Sequence, residues 1–103
     1  MTETSDYRVA FTALAPAPLA EDSRDALAGA LATMPGIEGL EGVHLEGGGD
    51  RLRAVFWIAV RLGMADAARD GSRLAREALT VAALTHTQLV DLSVSLRGVR
   101  GVS

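Results

Sequence analysis

Histidine is the side chain best suited to proton transfer near neutral pH, and this sequence holds two, His44 and His86. A general base also needs a carboxylate that orients it and a pocket that holds the substrate. Glu46 and Asp91 are candidates for that carboxylate, but nothing in the spacing requires such a pair. We therefore treat His44 and His86 as a candidate polar site, expect both to be solvent-exposed, and predict no catalytic residue.

The sequence lacks the motifs of cysteine chemistry, metal sites and phosphate-binding loops. The chain has no cysteine, which excludes disulfides, thiolate metal sites and a cysteine nucleophile. Two separated histidines and scattered carboxylates do not supply the three or four ligands that a metal ion needs. Gly47-Gly48-Gly49 precedes a strand pattern and not a helix, so a hairpin turn is favoured over a phosphate-binding loop. We predict neither metal nor cofactor.

The bulk composition excludes several classes of partner. The 103 residues, 49% hydrophobic and 22% charged, suit one globular domain. The net charge of −3 gives no attraction to nucleic acid or anionic lipid. The longest apolar run, residues 54–60, is too short to span a bilayer, and the acidic N-terminus is unlike a signal peptide. We expect a cytoplasmic protein that binds neither nucleic acid nor membrane; its arginine-only basic residues are typical of a GC-rich, bacterial genome.

Four segments alternate in hydrophobicity with the period of two that is typical of strands: residues 7–15, 37–46, 51–62 and 89–97. The third is apolar on both sides, which predicts a central strand. The second contains Gly39, Gly42 and three glutamates, which predicts an edge strand with a bulge or bend. In the fourth, we expect four residues to face the core: Val90, Leu92, Val94 and Leu96.

Two segments have helical spacing. The first covers residues 19–34, with Pro18 suited to the first helical position. The second starts near Asp66 and is expected to end around residues 85–87. Its expected inner stripe is Ala67, Gly71, Leu74, Ala78 and Val81. Residues 1–103 then form one domain, with 1–6 and 98–103 expected as flexible tails.

The order strand, helix, strand, strand, helix, strand determines the expected architecture. Each strand–helix–strand unit has the size of a split βαβ motif, and the middle strands form a hairpin. Right-handed crossovers place both helices on one face of an antiparallel sheet with strand order 4-1-3-2. The fold class is therefore α+β, a βαββαβ sandwich.

This layout resembles the ferredoxin-like superfold. The segment Ala30–Ile37, followed by Val43-His44-Leu45, is similar to the helix-to-second-strand turn of small metal-binding and ACT-type regulatory domains. The dimeric α+β barrel proteins share the layout. The metal-binding family carries Cys-x-x-Cys where this chain has Ala15-Pro16-Ala17-Pro18, and the catalytic asparagine of acylphosphatases has no counterpart because asparagine is absent. RNA-binding members need several aromatic residues where Trp57 stands alone. The resemblance implies a fold and names no activity.

Helices on one face leave the other face of the sheet uncovered. Burying a tryptophan there gains roughly 1.5–3 kcal/mol or more, and an apolar centre with a charged rim is typical of an interface. We predict that two copies meet through this face and form a homodimer. The predicted interface residues are Ala10, Thr12, Leu14, Val55, Trp57, Ala59, Arg53 and Arg61.

Two hypotheses of function follow. The first is a non-catalytic homo-oligomeric module that binds a small ligand or a protein partner. The second is a small cofactor-independent enzyme of the dimeric α+β barrel type, with a cavity between sheet and helices and His44 or Arg61 as polar anchors. A tightly packed interior favours the module, whereas a pocket of a few hundred Å³ that holds a histidine favours the enzyme.

Overall fold

The computed structural model describes residues 4–61 and 63–100. Its elements follow the predicted order. The strands are β1 (Thr4–Leu14), β2 (Gly39–Glu46), β3 (Arg51–Val60) and β4 (Gln88–Arg100), and the helices are α1 (Glu21–Thr33) and α2 (Met64–Val81).

The four strands form one antiparallel sheet in the order β2-β3-β1-β4. This is the predicted 4-1-3-2 order, and with both helices on one face it gives the ferredoxin-like topology. The two strands with the most apolar residues, β1 and β3, occupy the centre of the sheet. There each strand has a neighbour on both edges, and its helix side faces the core. The predicted fold class is confirmed.

The core lies between the sheet and the helices. Val9 and Phe11 of β1 and Phe56 of β3 are at most 1% exposed, and the rings of Phe11 and Phe56 meet edge to face at 6.2 Å. Leu27 and Leu31 of α1 close this layer from above. Among the described residues no polar or charged residue is buried, so the interior is held by apolar packing.

α2 approaches the sheet closely through Gly71. A Cβ atom at this position would lie 3.0 and 3.1 Å from the two γ carbons of Val9, so glycine is what permits the approach. Ala67, Leu74 and Ala78 extend the same buried stripe, as predicted. A helix packed this closely leaves little space between itself and β1.

The C-terminus of α2 differs from the expectation. The helix ends at Val81, because Ala83 adopts a left-handed conformation with φ 60°. The N–H of Leu84 then donates to the carbonyl of Leu79 at 2.8 Å, and the N–H of Ala83 to that of Thr80 at 3.0 Å. This is a Schellman motif, which brings Leu84 into the core and leaves Val81 69% exposed. The predicted inward position of Val81 and the predicted end at residues 85–87 were therefore wrong.

Three other boundaries are corrected. α1 begins at Glu21 and not at Pro18, because the N–H of Leu19 donates to the carbonyl of Gly49 at 2.8 Å and holds the chain extended against the β2–β3 hairpin. Residues 4–6 and 98–100 belong to β1 and β4, although both were expected in tails. The remainder of the predicted tails, and position 62 of the predicted third strand, lie outside the described residues.

β4 also departs from its predicted burial. Irregularities in its pairing with β1 leave Val90 and Arg97 without a directly opposite residue. Val90 is 50% exposed as a result, and Leu96, opposite Tyr7 on the helix side, is 55% exposed. Leu92 and Val94 are half-buried. The expectation that all four residues face the core was wrong for Val90. Leu96 faces the helix side as predicted but stays exposed, because β4 is an edge strand whose outer margin the helices do not cover.

Candidate functional site

The side of the sheet opposite the helices is here called the open face. The register places Ala10 opposite Val55, Thr12 opposite Arg53, and Arg8 opposite Trp57. Because alternate residues of a strand point to opposite sides, these side chains project away from Phe11 and Phe56. The predicted interface residues of both central strands thus share one surface: Ala10, Thr12, Leu14, Arg53, Val55, Trp57 and Ala59. Their role as an interface stays a prediction.

Trp57 has two contacts that hold its indole on the open face. Its six-membered ring lies against Gly39 of β2, where a Cβ atom would collide with ring carbons. The guanidinium carbon of Arg97 lies 4.0 Å from the ring centroid, within the range of a cation–π interaction. The indole is therefore half-buried within a single chain.

A bulge in β2 adds an acid to this surface. The register shifts between Leu40, opposite Phe56, and Gly42, opposite Val55, so that Glu41 is the additional residue. Its carboxylate accepts from Nε of Arg8 at 3.2 Å, across the intervening β3. Both side chains are more than a third exposed, so the pair contributes about 0–1 kcal/mol. The bulge was predicted from the glycines, but this ion pair was not.

The apolar centre of the open face is smaller than the sequence indicated. Ala10 and Val55 are only 4% and 7% exposed, although no helix covers them. Neighbouring side chains on the same face shield them, since alanine and valine are short beside Trp57 and arginine. The apolar surface left to a partner is mainly that of Trp57, Leu14 and Ala59.

Arg61 lies just beyond the paired part of the sheet. It lies one residue beyond β3 and lines a depression of about 480 Å³ together with Asp66 and Asp70 of α2. Trp57 is four residues away, which along an extended strand is roughly 13 Å. The chain bends at Arg61, and the place of this residue in the predicted interface stays a prediction.

The two histidines are not brought together. His44 lies on β2 opposite Arg53, and His86 precedes β4, so they are at opposite edges of the sheet. Three strand spacings separate the edges, roughly 14 Å. Both histidines are exposed, as expected. His86 lines a depression of about 180 Å³ beside Leu14 and Pro16.

Metal ligands do not converge in the described part of the chain. Residues 4–61 and 63–100 contain no group of three or more histidine, aspartate or glutamate side chains that could hold a metal ion. A third depression, of about 390 Å³, lies between the end of α2 and the start of β4 and is lined by threonines and leucines together with Arg76 and Gln88. It contains no histidine or carboxylate.

No described helix has the length and apolar content needed to cross a membrane.

No protein-family model and no curated protein matches the chain. Among solved structures, it is similar to a mutant of the ferredoxin protease FusC in complex with Arabidopsis ferredoxin, with 14% identity and a TM-score of 0.46. The match covers 79% of this chain and 10% of that one, so the chain spans about a tenth of the length of its structural neighbour.

Proposed function

We propose that this protein is a non-catalytic cytoplasmic module that forms a homodimer through its open face and binds a small ligand or a protein partner. The observation that carries the proposal is Trp57, a large aromatic side chain at the middle of a sheet surface that no helix covers. Aromatic residues with one face exposed are enriched at interfaces, because partners can bury them at little conformational cost. The absence of cysteine fits a reducing compartment.

The packing of the interior supports a module over an enzyme. A catalytic site between sheet and helices would need a cavity with polar groups, such as a histidine. In the described residues the buried side chains are apolar, and Gly71 brings α2 into contact with Val9. His44 and His86 are exposed and lie at opposite edges of the sheet.

Charges around Trp57 support a second copy as the occupant of the open face. Arg8 and Arg53 carry positive charge there, while Glu41 and Asp91 carry negative charge. A two-fold interface juxtaposes the same patch from both subunits, so a patch with both signs can complement itself. A patch of one sign would repel its copy.

The test changes the open face at two positions and measures assembly mass by light scattering. We expect Trp57→Glu to halve the mass, because it removes the large apolar surface of the indole and association must then desolvate a charge at the middle of the face. Thr12→Arg, which leaves the indole in place, should do the same by crowding the centre of the face. Val81→Glu is the matched control, since Val81 is 69% exposed at the end of α2 and its substitution should leave the mass unchanged.

Two results would contradict this proposal. One is a wild-type protein that scatters as a single 10.7 kDa chain at the highest soluble concentration. The other is retention of the full mass by both open-face variants while circular dichroism shows them folded.

A further inference from the structure

The outer margin of β4 is a second surface that differs from the open face. In the described residues β4 pairs with β1 on one side and with no strand on the other. It is 13 residues long, and an edge strand of this length presents a row of backbone donors and acceptors. Proteins usually protect such an edge with charge, bulges or a covering segment.

The opposite edge of the sheet carries that protection, and β4 carries less of it. β2 has a bulge at Glu41 and a further acid at Glu46, and Glu38 directly precedes it; these features disfavour pairing with another strand. In β4 the irregularities fall at Val90 and Arg97, so residues 91–96 pair regularly with β1. This regular stretch contains a single charged residue, Asp91.

Apolar side chains lie along the same margin. Leu96 is 55% exposed, and Leu92 and Val94 are half-buried on the helix side of the sheet. A strand added beside β4 would cover all three, because side chains of adjacent strands lie side by side on each face. The partner must therefore supply a strand with apolar residues at alternate positions.

A second copy of β4 fits this requirement. We propose that β4 pairs antiparallel with β4 of a second chain about a two-fold axis at Val94, which joins the two sheets into one of eight strands. In this register Asp91 lies opposite Arg97 of the second chain, Ser93 opposite Ser95, and Leu92 opposite Leu96. Apolar residues then meet on the helix side, and a charge pair forms on the open-face side at each end.

The charges select this register. A shift of the register by one residue would place open-face side chains opposite helix-side ones, so alternative registers differ from this one by two residues. Such a move places Asp91 opposite Ser95 or opposite position 99, and in neither case opposite arginine. In the single chain Arg97 contacts Trp57. In the pair its guanidinium turns toward Asp91 of the second chain.

The β4 margin adjoins the open face and shares Asp91 and Arg97 with it, but the inference does not rest on the proposed function. The open face meets a partner face to face, whereas the β4 margin meets it edge to edge. One chain can use both contacts, and where the two two-fold axes intersect the assembly contains four chains. Loss of either contact leaves pairs.

Cysteine cross-linking tests the register, and the chain has no native cysteine to interfere. Residues directly opposite each other in antiparallel strands have Cα atoms about 4.5–5.5 Å apart, within the range of a disulfide. We expect Val94→Cys to form a covalent dimer with oxidised glutathione. Ser93→Cys and Ser95→Cys should each remain monomeric on a denaturing gel, and a mixture of the two should cross-link. Val81→Cys, exposed on α2, is the control for random collision.

A charge exchange provides a second measurement. Because Asp91 also lies on the open face, the exchange is made in a Trp57→Glu background, which removes the open-face contact. There Asp91→Arg places two arginines opposite each other and should weaken edge association at least tenfold in sedimentation equilibrium at low salt. Arg97→Asp added to that variant restores an opposite pair and should recover most of the affinity. Folded Val94→Cys protein that does not cross-link, or a double variant no better than Asp91→Arg, would overturn the edge pairing.

The two proposals fail in distinguishable ways. If Trp57→Glu keeps its full mass while Val94→Cys still cross-links, the open-face dimer is wrong and the edge pairing holds. If Val94→Cys does not cross-link while Trp57→Glu halves the mass, the reverse is true. The Val94 side chain is on the helix side of the sheet, so an open-face dimer does not bring two such residues together.

Discussion

Trp57 shows how a single side chain on a sheet is positioned by residues distant in sequence. Gly39 on β2 provides a backbone without a side chain, on which the indole lies, and Arg97 on β4 contacts the ring. The contacts of this one side chain thus involve three strands, β2, β3 and β4. Because glycine in a strand is otherwise unfavourable, its presence at position 39 is explained by this close approach.

Replacing Gly39 with alanine should expose the indole. The added methyl group occupies the position of the ring, so Trp57 must move, and we expect a loss of about 1–3 kcal/mol in unfolding free energy. Trp57 is the sole tryptophan, so its fluorescence emission should shift to longer wavelength in native protein.

Gly29→Ala is the matched control for that substitution. No atom lies within 4 Å of a Cβ at Gly29, on the exposed side of α1, so alanine should stabilise by about 0.5–1 kcal/mol through helix propensity. Equal effects of the two substitutions in urea unfolding would refute the role assigned to Gly39.

At the scale of elements, the end of α2 determines where the chain enters β4. Ala83 is in the left-handed region at φ 60°, which costs a residue with a Cβ atom roughly 1–2 kcal/mol relative to the right-handed conformation. The Schellman bonds and the burial of Leu84 offset that cost.

Ala83→Gly should therefore stabilise the protein by about 1 kcal/mol, because glycine adopts positive φ without the steric penalty. Chemical denaturation monitored by circular dichroism measures the change. Ala82→Gly is the control. Ala82 has φ −79°, so glycine relieves no steric strain there, and it should destabilise the protein by increasing the entropy of the unfolded chain. A destabilised Ala83→Gly variant would contradict the assigned cap.

At the scale of the whole molecule, the two margins of the sheet have different characters. β2 is short, bulged and acidic, whereas β4 is long and bears exposed apolar residues. The molecule is elongated, 48 Å by 22 Å by 18 Å, so much of its surface belongs to the sheet's open face and margins. Both proposed contacts use this surface and leave the helices free.

Association should make thermal stability depend on protein concentration. A partner that binds only the folded state adds about 1.4 kcal/mol per tenfold increase in its concentration above the dissociation constant. We expect Tm of the wild type in calorimetry to rise by several degrees per tenfold increase, since a domain of this size gains about 4–8 °C per kcal/mol. Trp57→Glu and Asp91→Arg should each reduce that slope, and their combination should abolish it. A wild-type Tm independent of concentration would contradict self-association.

Local patterns in the sequence specify the number, type and order of the elements, and with them the topology. Alternation in residues 51–60 and the stripe through Leu27 and Leu31 are local patterns, and local patterns specify which side of an element is apolar. Handedness rules then left one strand order. The placement of Trp57 on the side without helices followed from the same alternation.

The contacts between side chains on the open face and the limits of burial at β4 depend on how the elements pack in three dimensions. The pairing of Glu41 with Arg8 depends on a bulge in β2, and the contact of Arg97 with Trp57 depends on the register of four strands. The exposure of Leu96 depends on how far the helices extend over an edge. These contacts and exposures depend on where whole elements lie relative to each other. A pattern within one segment contains no information about those positions.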